Sequence, residues 1–356
     1  MKPLTSVLYI SYPMLPVSDA SCGGAEQMLW VLEREMAARG VRTAVAACGG
    51  SAVSGELIST GRAPTQKDQF EARAEEHCGK ILAICRERRF SLIHDKSGFF
   101  WRYANEVDVP VLATLHLPRS FYRSELFQSV APNVYFNCVS NAQAKEFAEL
   151  PGMLGVVPNG IALKRFRFES RKKDYVLWLG RICPEKAPHL AMDAAKRARI
   201  RLVMAGQVYP FLWHQLYFDQ EIRPRLERDR DSVTWIERPS FEEKVGLLGG
   251  AKALLLPTLA PETSSLVSME AMASGTPVIA FPNGALPDIV RPGVSGIFVK
   301  TVEEMSAAIA YVGKLRPRDA RMQAEHEFSA SAMADGYQRL YSAVLSETEQ
   351  DIPQAA

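Results

Sequence analysis

At 356 residues the chain is longer than one ordinary hydrophobic core accommodates, so two domains are expected. Apolar residues make up 47% and charged residues 23%, and glycine with proline accounts for about one residue in eight, which excludes collagen-like and low-complexity linker proteins. Lys plus Arg, 42 in all, nearly balance 40 Asp plus Glu for a net charge of +2, so nucleic acid is not an expected partner.

Lys2 precedes an uncharged stretch, 3–18, that superficially resembles a signal peptide. Pro13 and Pro16 interrupt it, and Asp19 stands three places before Cys22, where a lipoprotein signal would carry an aliphatic residue. A buried first strand at 7–11 accounts for the run better. A helix is predicted at about 24–39, with Met28, Leu29, Leu32 and Met36 on one face and Gly40 as its stop. Strands follow at 42–48, 91–95, 110–116 and 134–140, with a helix near 71–88. The rhythm resumes with strands at 175–180, 201–206, 233–237, 253–257 and 277–280, helices between them. Near-continuous apolar strands separated by helices predict parallel sheets covered on both faces.

The stretch between the two series carries Lys164, Arg165, Arg167, Arg171, Lys172 and Lys173 and is expected to be a solvated connector. The predicted fold class is therefore α/β, two Rossmann-like doubly wound domains at 1–163 and 164–329. A helix at about 330–346 is free to pack back on the first domain, and 347–356 should fray.

Six cysteines (Cys22, Cys48, Cys78, Cys85, Cys138 and Cys183) show no CxxC spacing and suggest neither a zinc cage nor a disulfide framework. No apolar run reaches the length of a membrane span, and a cytoplasmic location is expected.

Three segments carry chemistry. In 261–280, PETSSLVSMEAMASGTPVIA, a strand runs through Thr263-Ser264-Ser265 into a helix. Ser264 or Ser265 is a natural N-cap, and the free N–H groups of that helix start form an anion site. Glu262 and Glu270 are eight residues apart, at most roughly 12 Å at the helical rise. They suit hydroxyls at two places along an elongated ligand better than a nucleophile and acid pair; two solvated glutamates on a capped helix is the alternative. In 179–186, LGRICPEK, Arg181 and Lys186 bracket a turn at a strand end and suit a diphosphate, or are surface cations. In 22–27, CGGAEQ, Gly23 and Gly24 let backbone approach a ligand at a helix start.

Together, GGAEQ, VPNG at 157–160, GRICPEK, and Glu262 with Glu270 in EAMASGTPVIA resemble retaining glycosyltransferases of family 4, over about residues 6–345. The resemblance implies the GT-B architecture, with an N-terminal acceptor domain, a C-terminal donor domain, and a nucleotide diphosphate sugar, UDP by family frequency, as donor. Arg181 and Lys186 would neutralise the diphosphate, Glu270 would hold ribose hydroxyls and Glu262 sugar hydroxyls. Backbone amides around Ser265, Leu266 and Val267 would cradle phosphate or sugar oxygens. Gly23 and Gly24 would approach the donor phosphates, and His116 would lie beside the donor sugar; a structural strand-end histidine is the alternative. No metal or other cofactor is expected, because the cations and the helix start would hold the diphosphate. Asp229-Arg230-Asp231, in a charged run, is assigned to a solvated loop.

The chain departs from the family where EGFG or EPFG becomes Glu262-Thr263-Ser264-Ser265, where Asp after PNGI becomes Ala162, and in a short N-terminal half with 23 positions from His116 to Val139. Competing functions are a GT-B phosphorylase, a nucleotide-sugar epimerase and a non-catalytic nucleotide-sugar-binding subunit. The acceptor is a hydroxyl compound of unstated identity. The aromatic and arginine-rich segments 97–103 and 117–127 suit stacking on an acceptor, contact with an anionic membrane surface, or ordinary packing.

Overall fold

The computed structural model describes residues 4–21, 23–63 and 70–350, and side chains through 347. It divides into two compact units, Ile161–Ser329 and the remainder, in which Ala330–Ala356 belongs with Met1–Gly160.

The first unit contains β1 (Ser6–Ile10), α1 (Gly24–Ala38), β2 (Arg42–Ala47), β3 (Glu56–Ser59), α2 (Phe70–Glu87), β4 (Leu92–Asp95), β5 (Val111–Thr114), β6 (Val134–Cys138), α3 (Asn141–Glu146) and β7 (Met153–Val156). Its sheet has the order β3-β2-β1-β4-β5-β6-β7, every pair parallel. All five residues of β1, and all those of β4, β5 and β6, are buried, as strands covered by helices on both faces must be. α1 buries Met28, Leu29, Leu32 and Met36, and the chain leaves it through Gly40 at φ +85°.

The second unit contains β8 (Tyr175–Leu179), α4 (Pro188–Arg197), β9 (Arg201–Ala205), α5 (Leu212–Tyr217), α6 (Arg223–Arg228), β10 (Val233–Ile236), α7 (Phe241–Gly250), β11 (Leu254–Leu256), α8 (Leu266–Ala273), β12 (Val278–Ala280), α9 (Leu286–Ile289), β13 (Gly296–Phe298), α10 (Val302–Tyr311) and α11 (Pro317–Glu327). The strand order is β10-β9-β8-β11-β12-β13, again parallel. Both sheets are doubly wound. Their order reverses between β1 and β4 in the first and between β8 and β11 in the second.

Three edge strands escape the sequence reading: β3, β7 and β13 are only three or four residues long and mostly half-buried or exposed. Several predicted strands are shorter in the structure because their last residues, among them His116 and Gly180, belong to the loops that follow.

The final helix, α12 (Ala330–Gln350), belongs to the first unit. Arg39, at the end of α1, donates to Asp335, Gln338 and Ser331 of α12. Tyr337 and Tyr341 enter the core, where the Tyr341 hydroxyl meets His94 Nδ1 at 2.7 Å and donates to Tyr9 at 3.3 Å. The predicted fraying from 347 starts too early: α12 reaches Gln350, and 351–356 lie outside the described residues.

The basic stretch is not simply a solvated connector. Lys172 donates to the Gly249 and Ser274 carbonyls and to Thr276 Oγ1, at 2.9, 3.2 and 2.8 Å, and burial lowers its ammonium to about 8. Arg165 lies 3.9 Å over the Phe241 ring.

Candidate active site

In an open parallel sheet the loops leaving the strand ends part where the order reverses, and a ligand finds room there. In the second unit that place lies between β8 and β11, and the GRICPEK loop and the Glu262 loop leave from those two strands. The GRICPEK loop runs beside the end of β9: Gly180 N–H donates to Ala205 and Ile182 N–H to Gln207, at 3.1 and 3.0 Å. Gly206, at φ +141°, is required here, because a Cβ would run into the Gly180 carbonyl. Pro184–Lys186 form one 3₁₀ turn, closed by Ala187 in the left-handed region at φ +44°, ψ +50°. Ala187 is fully buried, so the surrounding packing holds this conformation.

The turn delivers Lys186 to Glu262, with an ion pair between Nζ and Oε1. Thr258 Oγ1 donates to the same carboxylate oxygen at 3.2 Å. Leu259 N–H donates to the Glu185 carbonyl at 2.8 Å, tying the two loops together. Arg181 is exposed, its guanidinium 5.5 Å over the Tyr209 ring, and it makes no ion pair among the described residues. One cation is thus already held by a carboxylate, and a second lies over an aromatic ring with no ion pair among the described residues.

At α8 the expected cap takes a different form. Ser265 occupies the N-cap position, but its hydroxyl pairs with Ser268 Oγ at 2.8 Å instead of accepting from the helix backbone. That leaves the opening N–H groups around Leu266 and Val267 without a side-chain cap. Ser264 Oγ is buried with no hydrogen-bond partner among the described residues.

Glu270, inside α8, is buried and receives Lys244 Nζ at 2.8 Å. Lys244 comes from α7, whose start carries a complete capping box between Ser240 and Glu243. Its ammonium also lies 5.1 Å from the Phe241 ring and 5.6 Å from Phe166. The two glutamates are therefore not solvated: each carries an ammonium partner, and Lys244 had no signal in the sequence to mark it.

In the first unit, His116 follows the end of β5 and is half-buried. Desolvation first, and the nearby Lys96 charge second, hold its imidazole well below the usual histidine range, so it is neutral at pH 7. His94, fully buried and bonded at 2.7 Å to both Tyr341 and Thr114, is depressed for the same leading reason. Lys96 is buried after β4. Its ammonium donates to the Tyr337 hydroxyl at 3.1 Å, 4.8 Å from that ring.

Gly23 is the N-cap of α1 and Gly24 its first residue; a Cβ on Gly23 would strike the Glu26 carboxylate. Neighbouring Cys22 lies outside the described residues. The aromatics of 97–127 mostly pack inward. Trp101 is buried and stacks on Phe127 at 5.4 Å, and Arg119 lies 4.9 Å over Phe127, while Phe121 is exposed.

Asp229 is not the solvated residue expected. It is 8% exposed and pairs with Lys196 at 2.7 Å and Arg228 at 2.6 Å. Cavities of about 490 and 480 Å³, lined in part by Arg42, Glu56 and Phe90 and by Asp174, Ile200 and Lys252, open at the amino ends of the strands. They lie at the opposite edges of the sheets from Arg181 and His116.

Two family models divide the chain between them: Glycosyltransferase Family 4 matches residues 22–165, and Glycosyl transferases group 1 matches residues 161–327. The D-inositol 3-phosphate glycosyltransferase of Mycolicibacterium paratuberculosis is 28% identical over 253 residues, covering 61% of this chain and 56% of the relative. The chain spans about half the length of the curated relatives it matches. Among solved structures, the sucrose-phosphate synthase of Thermosynechococcus elongatus superposes with TM-score 0.80 at 18% identity, over 96% of this chain and 100% of that one. Anabaena HepE in complex with UDP gives 0.72 at 16% identity, over 95% and 100%. Two parallel-sheet units of this topology, matched in order by both family models, place the chain in the GT-B glycosyltransferases of the family 4 type.

Proposed function

We propose that the chain is a retaining, metal-independent glycosyltransferase that moves a sugar from a nucleotide diphosphate sugar, UDP foremost, to a hydroxyl acceptor. The observation that carries the proposal is the pairing of Lys186 with Glu262 where the second sheet reverses its order, with Arg181 on the same loop lying over Tyr209 and making no ion pair among the described residues. A departing nucleoside diphosphate gains negative charge as the glycosidic bond breaks. Lys186 has two further N–H donors beyond the one given to Glu262, and Arg181 offers a planar fork. These cations and the α8 amides would stabilise that charge, with no role left for a metal.

Glu262 would accept from sugar hydroxyls, and Ser264 Oγ is a further polar atom available to that sugar. Glu270, fixed by Lys244, would accept from the ribose hydroxyls. Gly23, Gly24 and His116 keep the roles the resemblance implies, His116 acting as a neutral hydrogen-bonding group. Retention also rests on the resemblance, and both glutamates being neutralised by lysines suits ligand holding better than nucleophilic attack. UDP rests on the resemblance and on the UDP bound by HepE.

The test is nucleotide release from candidate donors, with and without acceptors. Lys186→Ala should lower kcat/KM by about 10²–10³, and the anomeric proton of the product should report retention. Turnover should survive EDTA. Unchanged donor binding and turnover in both Lys186→Ala and Glu270→Ala would remove the site, an inverted product would remove retention, and a strict need for added manganese would remove metal independence.

A further inference from the structure

The loop that carries Arg181 and Lys186 holds a second group of residues that glycosyl transfer does not use. Cys183, Glu185 and His214 each offer one ligand atom, and the sulfur, carboxylate oxygen and ring nitrogen all lie within 4.8 Å of one another. Cys183 is fully buried and enters the 3₁₀ turn in extended conformation; Glu185 is exposed in that turn; His214 is buried on α5, the helix after β9. Two elements thus converge on one point, with one side open to solvent.

The chemistry of the set is informative. A thiol, a carboxylate and an imidazole form a borderline-soft donor set suited to zinc, which takes three protein ligands at about 2.0–2.3 Å and leaves a fourth position for water. The Cys183 sulfur and the Glu185 carboxylate come from the same turn, two residues apart, and lie within 4.8 Å of each other. The thiol donates to the Arg181 carbonyl at 3.6 Å. His214 is held edge-on between Phe211, at 5.1 Å, and Trp213, at 5.2 Å, which fixes the plane of its ring before any metal arrives. Arg181 is the charge that opposes a metal here, and its guanidinium is drawn aside over Tyr209.

We propose that Cys183, Glu185 and His214 bind one zinc ion, fastening the Arg181–Lys186 loop to α5. On binding, the Cys183 thiol proton leaves to the buffer and a zinc–thiolate bond takes its place, with Glu185 and His214 completing three protein ligands. The ion is a structural staple; it is not a participant in sugar transfer, and the site stands whether or not the proposed donor chemistry does.

The probe is Co²⁺, titrated into the full, reduced, metal-free chain, followed by competition with Zn²⁺ and by thermal unfolding. One equivalent should give a thiolate-to-cobalt charge-transfer band that Zn²⁺ abolishes, and Zn²⁺ should raise the melting temperature. Cys183→Ser should remove the band; His214→Gln and Glu185→Gln should each weaken affinity at least about tenfold. Glu185 is exposed, so its variant keeps the test decisive if a buried substitution disturbs folding. No band, a band that persists in Cys183→Ser, or an affinity unchanged by Glu185→Gln would overturn the proposal.

Discussion

Ser264 and Ala187 show how single residues separate function from stability. Ser264 Oγ is buried without a hydrogen-bond partner among the described residues, and such an atom costs folding energy unless a ligand uses it. Ser264→Ala should therefore leave the melting temperature unchanged or raised while kcat/KM for the true donor falls about tenfold, the worth of one hydrogen bond. An equal fall for every donor sugar would place the hydroxyl away from the sugar. Ala187 supplies the opposite case. Its left-handed backbone is tolerable for alanine but strained for a β-branched residue, so Ala187→Val should cost about 2 kcal/mol or more in urea unfolding and displace Lys186. Ala187→Gly, which trades relief of strain against chain entropy and a lost buried methyl, should stay within about 1 kcal/mol of wild type. The candidate residues were legible in the sequence because strand-end cations and the Glu262–Glu270 spacing are local. Lys244 and the Ser265–Ser268 pair were not, because each is a contact made only after folding.

At the scale of elements, α12 shows how a distant segment is recruited to a sheet. It is fixed to β1, β4 and β5 by a buried polar network through Tyr9, His94, Thr114 and Tyr341, and by Lys96 on Tyr337. Removing one hydroxyl leaves a buried imidazole nitrogen unpaired, so Tyr341→Phe should destabilise the first unit by about 1–3 kcal/mol. Faster backbone exchange confined to α12 and its neighbours would locate the effect; unchanged exchange would show that the network contributes nothing. The buried strands were readable because parallel strands covered on both faces are apolar throughout. The edge strands β3, β7 and β13 were not, because each is only three or four residues long and mostly half-buried or exposed, too brief for a pattern to stand out.

For the molecule as a whole, charge and topology set the expectations. His77, lowered to about 4, and His94 and His116, also depressed by burial, all lie in the first unit. Their unfolded counterparts titrate near pH 6.5, so the unfolded chain takes up protons first as pH falls. Stability from these groups is complete above about pH 6.5 and is lost as pH falls toward their folded values, near 4 for His77, at up to about 1.4 kcal/mol per pH unit for each histidine. Asp95 and Glu26, raised by burial, act in the opposite sense nearer the carboxylate range. Exchange protection of the first unit, corrected for intrinsic rates, should fall between pH 6.5 and 4; a flat profile would contradict the assigned burial.

On the proposed reading, the loops of β8 and β11 hold a nucleoside diphosphate sugar. A crystal structure with UDP-sugar bound tests it most directly. Diphosphate oxygens should lie within hydrogen-bond reach of Arg181, Lys186 and the first amides of α8, with the ribose on Glu270 and the sugar near Glu262. Diphosphate bound elsewhere on the chain, with those residues untouched, would contradict it.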